Sequence, residues 1–192
     1  QEKRLKSVIP ILQDVKDSVS SKVRAQYEEN PYPRWVDMKV RLIPSPISKV
    51  IKEVKLKLFD GAINDVEAPR ILIAGCGTGQ HSIGTALRFK DAKVLAVDLS
   101  LSSLAYAIRK TEEVGLQNVD YMQADILDLS KLNRKFDIIE SGGVLHHMND
   151  TMVGWGVLTD CLKSGGLMYI GLYSELARQH IVKIREEIEL SN

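Results

Sequence analysis

Apolar residues recur every three or four positions at Val8, Ile11, Leu12, Val15, Val19 and Val23, a spacing that predicts one helix over residues 8–23, docked by that stripe. Pro31 and Pro33, in "YEENPYPRW", force extended backbone at Asn30 and Tyr32 and should end it. A second helix is predicted in "SPISKVIKEVKLKLF": Ser45 can cap, Pro46 suits the first turn, and Ile47, Val50, Ile51, Val54 and Leu58 line one side. From Pro69 the pattern changes to short apolar runs alternating with helical stretches, which predicts β-α-β units and a parallel sheet. The strands fall at residues 70–74, 93–97, 119–123, 136–140 and 166–172, and the helices at about 80–89, 100–114 and 152–162. The expected fold is α/β, a doubly wound, mostly parallel sheet. Residues 1–68 form an amino-terminal helical segment and residues 69–192 the core. Ligands of such sheets sit beyond the carboxyl ends of the strands, so the residues just after each strand become the candidates for function.

Composition narrows the classes. The 192 residues are 44% hydrophobic and 27% charged, enough for one sizeable core. Twenty-six basic against 25 acidic residues give a formal charge of +1, without the overall basic field that draws proteins onto nucleic acid, so no nucleic-acid partner is expected. No apolar run reaches the roughly 20 residues of a membrane span, and no signal-peptide core follows "QEKRLK", so no membrane association is expected. Cys76 and Cys161 have no partner at CxxC spacing, which points to a reducing, cytoplasmic compartment with neither disulfide nor zinc. The chain opens on Gln1 rather than Met, and "RQHIVKIREEIELSN" still reads as helix at its end, so a fragment truncated at the carboxyl end is expected.

Chemistry concentrates in "ILIAGCGTGQ". A dinucleotide fingerprint requires G-x-G-x-x-G. Here the glycines are Gly75, Gly77 and Gly79, and Gln80 holds the position of the third glycine. A P-loop fails as well, because no Gly-Lys-Ser/Thr follows. The remaining G-x-G-x-G loop lets another molecule approach bare backbone without needing an anion; a glycine-rich turn with no ligand is the plainer alternative. Asp98 ends the second predicted strand, nineteen positions after Gly79. Its carboxylate can accept hydrogen bonds from the 2' and 3' hydroxyls of a ribose, or cap the next helix, although Ser100 could do that alone. Asp125, after the third strand, could accept from an adenine amino group, with Ile126 covering a ring face, or cap a turn.

In this order "ILIAGCGTG", "VLAVDLS", "MQADILDL", "FDIIESGGVLHHM" and "LKSGGLMYIGLYS" resemble the successive motifs of class I S-adenosylmethionine-dependent methyltransferases, over about residues 69–174. The resemblance implies a Rossmann-like methyltransferase fold with S-adenosyl-L-methionine as cofactor. It implies that Ala74, Gly75, Cys76, Gly77, Thr78 and Gly79 wrap the methionine part, Asp98 holds the ribose, Leu99 and Ile126 sandwich the adenine and Asp125 reads its amino group. Ser141 and Gly142, at the fourth strand's end, join the cofactor residues. "YEENPYPRW" with "IGLYSELARQHI" also resembles a bacterial subgroup, some of whose members carry tetratricopeptide repeats before the methyltransferase domain.

Many methyltransferases acting on adenine or glutamine amines have Asn/Asp-Pro-Pro-aromatic after the fourth strand; this chain has "SGGVLHHMND", which turns the expectation toward small-molecule or protein acceptors. His146 and His147 are the candidate catalytic bases, against the reading that one packs on the loop and the other is solvated. His81 and His180 show no metal-ligand spacing with them, so no metal is expected. Tyr27, Tyr32 and Trp35 are expected to form a lid, with Arg34 reaching the methionine carboxylate, though some of these rings could simply anchor the first helix. An exposed sheet edge could pair two copies as a homodimer. The alternatives are a non-catalytic cofactor-binding or assembly module and a nicotinamide-dependent oxidoreductase. Filling the loop with Gly77→Val is expected to abolish cofactor binding in a folded protein.

Overall fold

The computed structural model describes residues 1–38, 43–174, 176–179, 184 and 187–188. Five strands, β1 (Arg70–Ala74), β2 (Lys93–Asp98), β3 (Val119–Gln123), β4 (Phe136–Gly142) and β5 (Leu162–Gly171), form one parallel sheet in the order β3-β2-β1-β4-β5. Strand order therefore reverses between β1 and β4, which opens a crevice at their carboxyl ends. The near-continuous apolar runs have the reason expected of a parallel sheet: both faces are covered. Ile71 and Ile73 pack into one core and Leu72 and Ala74 into the other.

Six helices flank the sheet among the described residues: α1 (Glu2–Lys6), α2 (Ser18–Glu29), α3 (Ile47–Glu53), α4 (Gln80–Arg88), α5 (Leu101–Val114) and α6 (Thr151–Cys161). The predicted core strands and helices lie where the pattern put them, except that β4 runs on to Gly142 and β5 begins at Leu162.

The amino-terminal segment differs. Of the single helix expected over residues 8–23, only the part from Ser18 is helical, as the start of α2; residues 7–17 are non-helical, and α1 lies before the expected span. Pro10 lacks a donor for a helix interior; its carbonyl instead accepts from Gln123 N–H (2.8 Å), and Leu12 N–H donates to Gln123 O (2.9 Å), so this stretch runs along the edge of β3. Helix α2 starts afresh where Asp17 accepts from Ser20 N–H (2.8 Å). In the second helix Ile47, Val50 and Ile51 are buried as expected, but α3 stops at Glu53 and Val54 is exposed. Ser45 caps nothing: its backbone pairs with Arg88 and Lys90 beside α4. The helix expected over residues 178–192 lies largely outside the described residues, as does His180. No helix of the described residues is long and apolar enough to cross a membrane.

Candidate functional site

The crevice holds a cavity of about 290 Å³, at the small end of the range for ligand sites. Its floor comes from the β1–α4 loop (Gly75, Cys76, Gly77), the end of β2 (Asp98, Leu99) and the stretch after β3 (Ala124, Asp125, Ile126). Gly142, Gly143, Val144 and His147 close the β4 side, and Ser20, Val23, Tyr27, Tyr32 and Pro33 cover it from the amino-terminal segment.

The loop is held from beneath and above. Gly75 and Cys76 donate backbone N–H to Val97 O (2.8 and 2.9 Å), and Gly77 N–H donates to Asp98 Oδ2 (2.8 Å). From above, Trp35 Nε1–H donates to Thr78 O (3.1 Å) and the Thr78 hydroxyl donates to Pro33 O. The Tyr106 hydroxyl donates to Trp35 O, and Lys110 Nζ to Val36 O (2.9 Å). Gly77 (φ +53°) faces this strap: a Cβ there would stand 2.6 Å from Tyr32 O. Gly77→Val would thus dislodge the protein's own strap, so the expectation of an otherwise undisturbed fold is corrected. Gly79 (φ +87°) starts α4 in a left-handed conformation, and its Cβ would stand 2.6 Å from that of Ala107, so it serves helix packing.

Asp98 and Asp125 each combine two readings that the sequence left open. Asp98 Oδ1 accepts from Ser100 N–H (2.9 Å) while the residue lines the cavity; Ser100 Oγ caps α5 by accepting from Ser103 N–H (3.0 Å). Burial pushes the Asp98 carboxyl above its ordinary range, against the pull of the Ser100, Gly77 and Leu99 amides. Asp125 caps a 3-10 turn through Leu127 N–H (3.0 Å) and also faces the cavity. Burial, with the Asp98 charge second, pushes the Cys76 thiol far up, so it sits as a small neutral wall.

Of the remaining candidates, Tyr32, Leu99, Ile126, Gly142 and His147 line the cavity. Ala74, Thr78, Gly79 and Ser141 are buried behind the lining, Ser141 Oγ donating to Ala74 O (3.0 Å). Arg34 is exposed and outside the lining, and Trp35 is buried as an anchor rather than a lid ring. The histidines divide: His147 faces the cavity, whereas His146 stacks on Tyr173 with ring centroids 3.8 Å apart. Sequence reasoning missed Ser20 and Val23, because it ran one helix through them, and Ser103 and His81, which lie inside predicted helices rather than directly after a strand.

Ser103 supplies a test of fit. It is 1% exposed, lines the cavity, and its Oγ has no hydrogen-bond partner among the described residues, so a water or a polar group of a ligand in the cavity would satisfy it. A nucleoside, with its hydroxyls and ring nitrogens, fits that requirement.

Residues 71–166 match the family described as a methyltransferase domain. The chain belongs to that family. This methyltransferase domain is 31% identical over 175 residues to an uncharacterized Synechococcus protein, covering 91% of this chain and 42% of that one. It is 31% identical over 115 residues to a release factor glutamine methyltransferase of Chlorobaculum tepidum, covering 57% and 39%. Among solved structures it resembles a S-adenosylmethionine-dependent methyltransferase from Clostridium acetobutylicum, with 27% identity, a TM-score of 0.52, and coverage of 78% of this chain and 56% of that one. The chain spans less than half the length of these two curated relatives.

Proposed function

We propose that the protein transfers a methyl group from S-adenosylmethionine to a small-molecule or protein acceptor by in-line displacement. The observation that carries this reading is the single cavity face shared by the glycine loop, Asp98, Asp125 and Ile126. Asp98, anchored by Gly77 and Ser100 amides, keeps lone pairs for ribose hydroxyls; Asp125 and Ile126 take the adenine edge and face; Gly75 and Gly77 let the methionine part lie on backbone. The bound cofactor supplies an electrophilic methyl on a sulfonium. The chain's residues supply alignment and exclusion of water, the largest contributions to such a displacement. Tyr27 and Tyr32 over the cavity serve that exclusion. Gln80, where a dinucleotide fingerprint requires its third glycine, disfavours a nicotinamide cofactor.

Ser141-Gly142-Gly143 at the end of β4 supports an acceptor other than an amide or adenine amine, and the near-neutral charge supports one other than nucleic acid. The building of Tyr27 to Trp35 into the cavity wall supports membership of the bacterial subgroup with "YEENPYPRW". The edge at β5, which pairs with β4 on its other side, supports a homodimer contact there, to be checked by light scattering. Calorimetric titration tests the function: S-adenosylmethionine and S-adenosylhomocysteine bind and NAD does not. Tight NAD binding without S-adenosylmethionine binding would overturn it.

A further inference from the structure

A second cavity, of about 800 Å³, opens beside the first between α4 and the ends of β4 and β5. Gln80, His81, Gly142, Gly143 and Tyr173 line both, so the His81 imidazole stands at the junction. Its Nε2 lies 2.9 Å from Glu140 Oε2, and the Thr85 hydroxyl donates to the same oxygen at 2.6 Å. The His81 side chain is 37% exposed, whereas that of Glu140 is 11% exposed. A buried carboxylate that accepts from Thr85 also accepts Nε2–H, which leaves the ring's lone pair on Nδ1. Burial acts to raise the Glu140 carboxyl, but the bonds from His81 and Thr85 outweigh it and hold the group below its ordinary range, as an anion that orients the ring.

Tyr169 stands edge-on to His81, ring centroids 6.3 Å apart and planes at 89°, which gives the cavity aromatic surface beside the imidazole. Gly84, Gly142, Gly143 and Gly171 add lining without side chains, which leaves room for an aromatic ring to pack there. Arg88 from α4 and Tyr173 beyond β5 complete the titratable groups that line this cavity with His81, Glu140 and Tyr169.

We propose that His81 is the catalytic base, and Glu140 its positioning residue, for a planar, hydroxyl-bearing small-molecule acceptor bound in this second cavity, an assignment that rests on the methyl-transfer reading above. The acceptor O–H proton passes to His81 Nδ1 as an oxygen lone pair makes the new O–C bond, and the electrons of the broken S–C bond stay on sulfur. The imidazolium, paired with Glu140, then releases its proton to solvent. The histidines after β4 are not needed as the base.

4-Nitrophenol serves as probe, because its phenolate absorbs apart from the phenol. With S-adenosylhomocysteine bound, at a pH where the free probe is mostly protonated, the protein should bind it saturably and enrich the phenolate. His81→Asn and Glu140→Gln should each cut that enrichment at least about fivefold, while Glu140→Gln, outside the first cavity's lining, keeps its calorimetric affinity for S-adenosylmethionine within about threefold. Wild-type far-ultraviolet circular dichroism and cooperative melting show that both variants are folded; a pair that merely tied α4 to β4 would leave the phenolate spectrum unmoved. Absence of saturable 4-nitrophenol binding, or unchanged enrichment in either variant, would overturn the assignment and leave methyl transfer standing. Failure of the wild type to bind S-adenosylmethionine overturns both.

Discussion

Two carboxylates flank β1 at the mouth of the sheet and behave oppositely. Asp98, on β2, is surrounded by backbone amides, and burial pushes its carboxyl up. Glu140, on β4, is buried too, yet the hydrogen bonds from His81 and Thr85, with the Arg88 charge, hold it below its ordinary range. The first site offers a ligand fixed, neutral donors around one acceptor; the second offers a proton path. At Asp98 burial wins over the amide donors, whereas at Glu140 the bonds from His81 and Thr85 win over burial, so the balance between the two decides the direction.

The comparison breaks first at Asp98. Asp98→Ala removes the acceptor of Gly77 N–H and of the nucleoside sugar together, so calorimetry should find S-adenosylmethionine affinity about 100-fold lower, the scale of one or two hydrogen bonds to a charged group. An affinity within a few-fold of wild type would remove Asp98 from the cofactor site. Next, Gly77→Ala meets both a left-handed backbone and Tyr32 O, and should destabilise the loop by about 1–3 kcal/mol, read as a lower Tm together with weakened cofactor binding.

The opposite shifts make opposite pH signatures. Glu140, lowered in the folded state, contributes stability that is fully present above the unfolded carboxylate value and lost as pH falls through its folded value. Asp98, raised, contributes stability present below the unfolded value and lost as pH rises through the folded one. Melting curves between about pH 3 and pH 7 should therefore lose part of their acid-side fall in Glu140→Gln and steepen in Asp98→Ala. The reverse pairing would show that the two environments have been misjudged. The smallest effect is Trp35→Phe, which keeps the ring but not the bond to Thr78 O and should cost about 1 kcal/mol in denaturant unfolding.

The sheet and its helices were legible because burial on both faces writes continuous apolar runs, and because Ser100 and Asp125 carry capping chemistry in their own sequence neighbourhood. That Gly75, Asp98, Asp125 and Ile126, each just after or at the end of a strand, would line one cavity was legible from their order along the chain. Three things were not. The stripe from Val8 to Val23 has a helical period, but Pro10 pairs with β3 and the stripe is split between an edge and α2, a tertiary choice no local window contains. The bonds of Trp35 and Thr78 join residues 43 positions apart. His81 and Glu140 become a pair only because β1, which leads into α4, pairs with β4.

The strap over the loop has a consequence for motion. Tyr32 to Val36 reach the core through a handful of bonds, at Thr78, Tyr106 and Lys110, whereas the loop beneath is tied into β2 by its own backbone. Local opening takes the least supported unit first, so the strap lifts as a unit while the sheet stays closed. Amide exchange at residues 34–36 should accordingly outpace that at residues 71–74, and slow when S-adenosylmethionine is present, as expected of a segment of low local stability laid over one of high.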